Sequence, residues 1–191
     1  MYKLSKQAQE KLDAFLALLI KWNKAYNLTA IRDRDEMVTK HILDSLAVVP
    51  YIKGERILDV GTGAGLPGIP LAIALPQYHF TLLDSNGKKI RFITQAVSEL
   101  NIKNVEVVQA RVEEYQSESA YQTIISRAFT SISEFIDKTK HLLAKDGQIL
   151  AMKGKEFDQE LKNFAGHVKV HKLDVPGLKE QRHLVVWWGQ S

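Results

Sequence analysis

The sequence of 191 residues contains no cysteine. This absence excludes disulfide bonds, zinc sites with thiolate ligands and a catalytic thiol, and it fits a reducing compartment. No stretch approaches the roughly 20 apolar residues that a membrane-spanning helix needs. The longest apolar run near the start, Phe15 to Ile20, has six residues and no basic signal-type segment before it. We therefore expect a soluble, cytoplasmic protein without a leader peptide or a membrane anchor.

The chain also lacks a large excess of charge of either sign. The 26 Lys and Arg residues face 22 Asp and Glu residues, for a net charge of +4. Both ends of the chain are slightly basic, which is compatible with a polyanionic partner but does not establish one. A hydrophobic fraction of 45% with 25% charged residues excludes a disordered chain, and the length suits one domain with a small extension.

The first part of the chain has the periodicity of helices. One apolar stripe follows the i, i+3, i+4, i+7 pattern after Ser5, a plausible N-cap, and a second stripe runs into Pro50, which should end it. We therefore predict an N-terminal helical extension over residues 1–53. The two stripes consist of Leu12, Phe15, Leu16 and Leu19, and of Val38, Ile42, Leu46 and Val49.

From residue 54 to residue 191, short β-rich runs alternate with helical ones. Such alternation predicts an α/β fold with a mostly parallel sheet and helices on both faces. The last two runs have only a Pro-Gly turn region between them, so we expect them to pair as an antiparallel hairpin. The seven predicted strands are Arg56–Val60, His79–Leu83, Val105–Gln109, Thr123–Ser126, Gln148–Met152, Val168–Leu173 and His183–Trp188.

The sharpest feature is a glycine-rich turn after the first strand. Gly61, Gly63 and Gly65 follow Val60 directly, and glycine lets the backbone adopt positive φ and approach a ligand closely. Asp84 closes the next strand about 20 residues later, where a carboxylate can accept both ribose hydroxyls. Together these residues predict a crevice for an adenosine group at the carboxyl ends of the strands.

Two cofactor classes use such a crevice. The segment from Gly63 to Gly68 fits the G-x-G-x-x-G pattern of dinucleotide-binding proteins, but the chain has no room for a dehydrogenase substrate domain. Asp59, two residues before the first glycine, would repel a pyrophosphate, whereas it could orient the loop or accept from a ligand ammonium. The residues alone favour S-adenosylmethionine and leave open NAD and a turn that binds no ligand.

The segment from Asp59 to Pro70 resembles the first motif of the bacterial RsmG (GidB) family, and the resemblance extends from about residue 20 to the end of the chain. It implies a class I S-adenosylmethionine-dependent methyltransferase, a Rossmann-like fold with a seven-stranded, mostly parallel sheet and an N-terminal helical extension. It also implies methylation of N7 of a guanosine in small-subunit (16S) ribosomal RNA. The other matching segments are 22–29, 41–46, 83–85, 111–113, 126–128 and 152–154.

The resemblance further implies cofactor contacts in the turn, after the third strand and after the fourth strand. Asp84 is expected at the ribose on the ground of the general class, and Asp59, Gly63 and Gly65 complete the turn. The contacts that the resemblance places are at Gly61, Leu66, Val112, Glu113 and Arg127.

Arg127 is also the main candidate for positioning the substrate, through guanine O6 or a nearby phosphate. The alternative is that its guanidinium pairs with a core carboxylate such as Asp59. Lys153 and Arg182 are weaker candidates on the RNA side, and a solvated surface charge is equally compatible with both. Guanine N7 carries an in-plane lone pair, so in-line methyl transfer needs positioning and no general base.

Several other residues could carry chemistry. His41 and Asp44 lie three residues apart, a spacing that favours a hydrogen bond within one helix over a metal site, and we predict no metal. Trp22 and Tyr26 could stack on bases, although burial is the more common role. The basic residues after the second strand, Lys88, Lys89 and Arg91, could contact phosphates or form a solvated face.

Three functions therefore remain to be distinguished. They are an RNA guanine-N7 methyltransferase, a small NAD-dependent oxidoreductase and a non-enzymatic nucleotide- or RNA-binding module. The expected partner in the first case is small-subunit ribosomal RNA or its ribonucleoprotein particle, and the sequence does not indicate the oligomeric state.

Overall fold

The computed structural model describes residues 3–127, 131–155, 157–162, 164 and 166–189. Ala128, the last residue of the matching segment 126–128, lies outside these residues.

A single seven-stranded sheet forms the centre of the described structure, in the strand order β3-β2-β1-β4-β5-β7-β6. Neighbouring strands from β3 to β5 pair in parallel, whereas β7 runs antiparallel to both β5 and β6. The predicted α/β fold and the antiparallel final hairpin are confirmed. The strands are β1 Arg56–Val60, β2 His79–Asp84, β3 Val105–Gln109, β4 Tyr121–Ser126, β5 Leu143–Lys153, β6 Val168–Leu173 and β7 Arg182–Trp188.

The first helix has a capping residue at each end. Ser5 caps the first helix, its hydroxyl accepting from the Ala8 amide at 3.1 Å, and Asn27 ends this helix with a left-handed φ of 50°. The α-helices are α1 Lys6–Tyr26, α2 Arg34–Met37, α3 Asp44–Leu46, α4 Gly68–Ala74, α5 Gly87–Glu99, α6 Ile132–Thr139 and α7 Asp158–Lys162.

The N-terminal helices pack on the sheet domain through a shared hydrophobic cluster. Phe15 and Leu19 of α1 belong to the same cluster as Ile69 of α4 and Phe92 of α5. The rings of Phe15 and Phe92 lie 6.1 Å apart between centroids. The residue ranges 1–53 and 54–191 therefore contribute to one core, and the domain boundary between them stays a prediction.

The second apolar stripe forms an irregular helix. Between α2 and α3, residues Val38–Leu43 form a π-helix, in which the chain widens to i→i+5 hydrogen bonds. Two polar residues of this region are turned inward, since His41 is 3% exposed and Asp44 is 2% exposed. The sequence pattern indicates a helix here but does not distinguish a π-turn from an α-turn.

No helix in the described part of the chain combines the length and the apolar character that a membrane crossing requires.

Candidate active site

Two cavities lie at the edge of the sheet where the parallel strands end. The first, of about 290 Å³, is lined by residues that follow β1, β2 and β3. The second, of about 320 Å³, is lined by residues at the ends of β4 and β5 and at the start of the antiparallel β7. The chain reverses its strand order between β1 and β4, and the crevice at such a switch point is where open α/β sheets bind ligands.

The glycine-rich turn forms one wall of the first cavity. Gly61 has a φ of +66°, and a Cβ built there would meet no described atom within 4 Å, so its backbone faces open space. The amides of Gly61 and Thr62 both donate to the Leu83 carbonyl, at 2.8 and 3.1 Å. These bonds attach the turn to the end of β2 and leave room for a ligand against the Gly61 backbone.

The Asp59 carboxylate stabilises the turn through hydrogen bonds. Its side chain is fully buried and accepts from the Thr62 hydroxyl at 2.6 Å and from the Gly68 amide at 2.8 Å. Burial raises the pKa of Asp59 to about 7, and these two hydrogen bonds oppose the rise. Of the two roles considered for Asp59, the geometry favours orientation of the loop.

The remaining turn residues shape the loop and do not line the first cavity. Leu66 is buried, at 3% exposure, and a Cβ on Gly65 would come within 2.5 Å of the Ile69 side chain. Gly63 donates its amide to the Asp84 carboxylate at 2.9 Å. The cofactor contact expected at Leu66 stays a prediction, because this residue is buried and does not line the first cavity.

The opposite wall carries polar and apolar groups suited to an adenosine. Asp84 accepts from the Gly63 amide and, at 2.8 Å, from the Asn86 amide, and a carboxylate keeps further lone pairs for ribose hydroxyls. Val112 offers a buried apolar side chain. Glu113 lies beside it and pairs with Lys138 at 2.8 Å, a contact that lowers the pKa of Glu113.

Sequence reasoning missed some lining residues of this first cavity. They lie at the carboxyl ends of β1 and β2 and in the loop after β3, a position that could have indicated them. These residues are Val60, Leu83, Ser85, Ala110 and Arg111.

The second cavity brings together the three residues expected on the substrate side, Arg127, Lys153 and Arg182. Arg127 therefore lies over β4 in this cavity, and it does not line the first cavity. Lys153 is bound by Glu160, with its Nζ 2.9 and 3.2 Å from the two carboxylate oxygens. The other lining residues are Ile31, Lys40, His41, Asp44, Met152 and Gly154.

Arg127 is fixed by the π-helix. Its Nη1 donates to the Lys40 carbonyl at 3.0 Å and lies 3.3 Å from His41 Nδ1 and 3.8 Å from Asp44 Oδ2. Burial lowers the pKa of Arg127, and the charge of Asp44 opposes this. The alternative that Arg127 pairs with a buried carboxylate is therefore confirmed, but its partner in the ion pair is Asp44 and not the suggested Asp59.

Within the helix the Asp44 amide donates to the His41 carbonyl, but no described hydrogen bond joins the two side chains. His41 Nε2 lies 2.9 Å from the Thr29 hydroxyl, and its Nδ1 faces Arg127. Burial, together with the Arg127 charge, lowers the pKa of His41 to about 4, so the ring is neutral near pH 7. A neutral ring can accept from Arg127 through Nδ1 while Nε2 donates to Thr29.

Asp44 contacts a second arginine as well. Its Oδ1 lies 3.2 Å from Nε of Arg182, so one buried carboxylate is shared by Arg127 and Arg182. Burial raises the pKa of Asp44, and both guanidinium charges oppose the rise.

The other candidates lie outside both cavities. Trp22 stacks on Tyr26, with ring centroids 5.1 Å apart, and also contacts Phe92, while Tyr26 is 48% exposed. Lys88 and Arg91 are exposed at the start of α5, and Lys89 Nζ lies 4.0 Å from Asp84. Among the described residues, no group of three or more His, Cys, Asp or Glu side chains could hold a metal ion.

A family model and curated relatives that match this chain carry the same description. The family model GidB, described as rRNA small subunit methyltransferase G, matches residues 8–185. A ribosomal RNA small subunit methyltransferase G from Ectopseudomonas mendocina is 53% identical over 189 residues, covering 96% of this chain and 88% of the relative. A protein of the same name from Legionella pneumophila subsp. pneumophila is 54% identical over 185 residues, covering 97% and 88%.

Solved structures with the same fold are more distant in sequence. A SAM-dependent methyltransferase from Aquifex aeolicus superposes with a TM-score of 0.61 at 16% identity, covering 79% of this chain and 92% of that one. A putative O-methyltransferase from Klebsiella pneumoniae gives a TM-score of 0.63 at 14% identity, covering 93% and 90%. These likenesses confirm the class I methyltransferase fold.

Proposed function

Because the chain belongs to the GidB family of rRNA small subunit methyltransferase G proteins, we propose that it transfers a methyl group from S-adenosylmethionine to N7 of a guanosine in small-subunit (16S) ribosomal RNA. The transfer is an in-line displacement that uses no general base.

The observation that carries this proposal is the pair of cavities on either side of the strand switch point. The first combines the open Gly61 backbone, the Asp84 carboxylate and the apolar Val112. The second presents two arginines on a shared carboxylate. A cofactor in the first cavity and a base in the second would approach each other across β1 and β4, which are neighbours in the sheet.

The residues of the first cavity suit S-adenosylmethionine. Asp84 would accept from the ribose hydroxyls, Val112 and Glu113 would border the adenine, and the turn at Gly61 would follow the methionine part. When bound, this cofactor supplies an electrophilic methyl group on a sulfonium sulfur. Asp59 acts on this site through the turn, since its carboxylate binds Thr62 and Gly68.

The residues of the second cavity suit positioning of the acceptor. Guanine N7 already carries a lone pair, so the protein has to hold the base in line at about 3–3.5 Å and has no proton to remove. Arg127 is placed to donate to guanine O6 or to a phosphate oxygen, as guanidinium groups commonly do. Lys153 and Arg182 border the same cavity.

The partner in this proposal is small-subunit ribosomal RNA or its ribonucleoprotein particle, and the site of action is the cytoplasm. The recognition of an accessible guanosine fits the general preference of RNA-binding proteins for unstacked bases in loops.

The direct test is transfer of labelled methyl from S-adenosylmethionine to small ribosomal subunits that lack their own modification, followed by mapping of the labelled nucleotide. We expect one guanosine labelled at N7. Tight cofactor binding without label would discard the acceptor, and absence of cofactor binding would overturn the cofactor as well.

The Arg127→Ala variant tests the substrate side of the site. We expect methyl transfer to fall at least tenfold, while the dissociation constant for S-adenosylmethionine stays within about twofold because Arg127 does not line the first cavity. Full turnover on subunits would remove Arg127 from the mechanism, and a matching loss of cofactor affinity would place it on the cofactor instead.

A further inference from the structure

Asp44 is the one carboxylate that both arginines of the second cavity contact among the described ion pairs. It is 2% exposed and lies at the start of α3, directly after the π-helix. The two guanidinium groups come from strands that only β5 separates, Arg127 from the end of β4 and Arg182 from the start of β7. Asp44 therefore contacts two guanidinium groups from different strands in one cavity.

The four cationic side chains that line the cavity pair with four carboxylates. Lys40 is bound by Glu36 at 2.6 Å and by Glu180 at 3.0 Å. Lys153 is likewise bound by Glu160, so both lysines are neutralised by carboxylates of their own. Arg127 and Arg182 share the single carboxylate of Asp44, whereas Lys40 contacts two carboxylates, so the charges of this set sum to zero.

Hydrogen-bond donors are left over. Contacts within the described residues engage Nη1 of Arg127 and both Nε and Nη1 of Arg182. Each guanidinium carries five N–H donors, so both can bind an oxyanion while they remain on Asp44. Donors from two sides that the protein does not use fit an oxyanion, to which guanidinium groups commonly bind, and the oxyanion of the RNA backbone is the phosphodiester.

We propose that Asp44 is a positioning residue that fixes Arg127 and Arg182 as a two-armed site for one phosphodiester of the acceptor RNA. This inference rests on the proposed function and adds to it the residue that sets the geometry of the acceptor side. By holding both arms, Asp44 determines where the nucleotide is anchored and thus where its base lies relative to the first cavity.

The test compares Asp44→Asn with wild type in methyl transfer to unmodified small subunits. The isosteric amide removes the charge that holds the two arms, so we expect kcat to fall about 10- to 100-fold, as misplaced reacting groups cause. KM for S-adenosylmethionine should stay within about twofold. KM for the subunit should stay equal or decrease, because the cavity gains positive charge.

The control is Asp137→Asn, which removes an exposed carboxylate that pairs with Lys140 on the surface of α6. It should leave all three constants unchanged. An Asp44→Asn enzyme with wild-type kcat would overturn the proposal, and so would a rise in the subunit KM with kcat unchanged, which indicates simple loss of binding.

A double-variant cycle separates positioning from a general structural role. If Asp44 acts through the arginines, Asp44→Asn should cost much less in kcat when Arg127 is already glutamine, whereas independent effects would multiply. If Asp44→Asn does not fold, Asp44→Glu keeps the charge and moves it by one methylene, and its kcat should still fall. Wild-type kcat in the glutamate variant, or multiplicative losses in the cycle, would count against the proposal.

An activity-independent measurement distinguishes this inference from the proposed function. In ¹⁵N spectra, the Nε–H of Arg182 should show slow solvent exchange in wild type and faster exchange in Asp44→Asn, because this nitrogen lies 3.2 Å from the buried Asp44 Oδ1. An unchanged exchange rate would overturn the positioning role even if methyl transfer is active. Wild type without methyl transfer but with this exchange difference would instead refute the proposed acceptor.

Discussion

His41 connects the N-terminal helices to the substrate side of the sheet through its two ring nitrogens. Nε2 meets the hydroxyl of Thr29, whose amide in turn donates to Asn23 of α1 at 2.9 Å. Nδ1 meets Arg127 at the end of β4. A protonated ring would lose its acceptor toward Arg127 and place a second positive charge beside it, so the neutral state is part of the native arrangement.

As a consequence, protonation of His41 makes the free energy of unfolding depend on pH. The pKa of His41 is lowered from 6.5 to about 4 in the folded protein, so the unfolded chain binds the proton more readily between these values. Stability from this group is complete above about pH 6.5 and is lost as the pH falls toward 4. Between pH 7 and pH 5 the loss is about 2 kcal/mol.

Urea unfolding of wild type and His41→Gln at both pH values measures this contribution. The variant should lose about 2 kcal/mol less than wild type between pH 7 and pH 5, since it carries no proton-binding ring. His79→Gln, at an exposed position, serves as the control and should follow wild type. Parallel curves for wild type and His41→Gln would contradict the expectation.

Single residues also show where sequence reasoning ends. The turn from Gly61 and the carboxylate of Asp84 could be predicted because neighbouring residues and one strand spacing define them. The ion pairs of Asp44 could not, because Arg127 and Arg182 reach it only after the sheet has assembled. The three-residue spacing of His41 and Asp44 favoured a local hydrogen bond, but tertiary partners bind both side chains instead.

Helices and strands were more accessible to prediction than their contacts. Alternating periodicity located all seven strands, although β5 begins at Leu143 and not at the predicted Gln148. The sequence did not predict the π-helix Val38–Leu43, because apolar residues four apart suit an α-helix and a π-helix equally. The partners that stabilise its buried polar side chains are distant in sequence, so the local pattern does not indicate them.

The packing of α1 on the sheet domain predicts how a core substitution in this helix affects unfolding. Phe15 is fully buried between α1 and the sheet domain and contacts Phe92 of α5. Phe15→Ala should lower the free energy of unfolding by about 3–5 kcal/mol, the usual cost of such a cavity. Because α1 shares its core with the sheet, the loss should appear in one cooperative transition.

Urea unfolding with two spectroscopic probes measures the loss in free energy of unfolding, and calorimetry shows whether unfolding occurs in one transition. Lys21→Ala, at an exposed position of the same helix, should change stability by less than about 0.5 kcal/mol. Two separate transitions, with the second unaffected by Phe15→Ala, would show that the N-terminal helices fold independently.

Across the whole molecule, the net charge is too small to indicate where RNA binds, and the position of each charge matters more. Lys88 and Arg91 are exposed at the start of α5, which follows β2 and therefore lies at the same sheet edge as the two cavities. Neutralising both, as Lys88→Gln with Arg91→Gln, should weaken subunit binding and reduce the salt slope by up to about 2.

Filter binding at several salt concentrations measures that slope. Lys145→Gln gives the matched control, because this exposed lysine lies in the first part of β5, toward the opposite edge of the sheet. Equal slopes for wild type and the double variant would favour a solvated face over phosphate contacts at Lys88 and Arg91.

The edge strand β6 influences whether copies of the protein associate at high concentration. Its six residues pair with β7 on one side, and unpaired backbone groups on the other side of such a strand invite addition of a further strand. If two copies joined antiparallel through the full length of β6, Lys169 of each copy would stand opposite Lys172 of the other. Two like-charged pairs facing each other across such a junction disfavour it, so this edge resists the strand-to-strand association that begins aggregation.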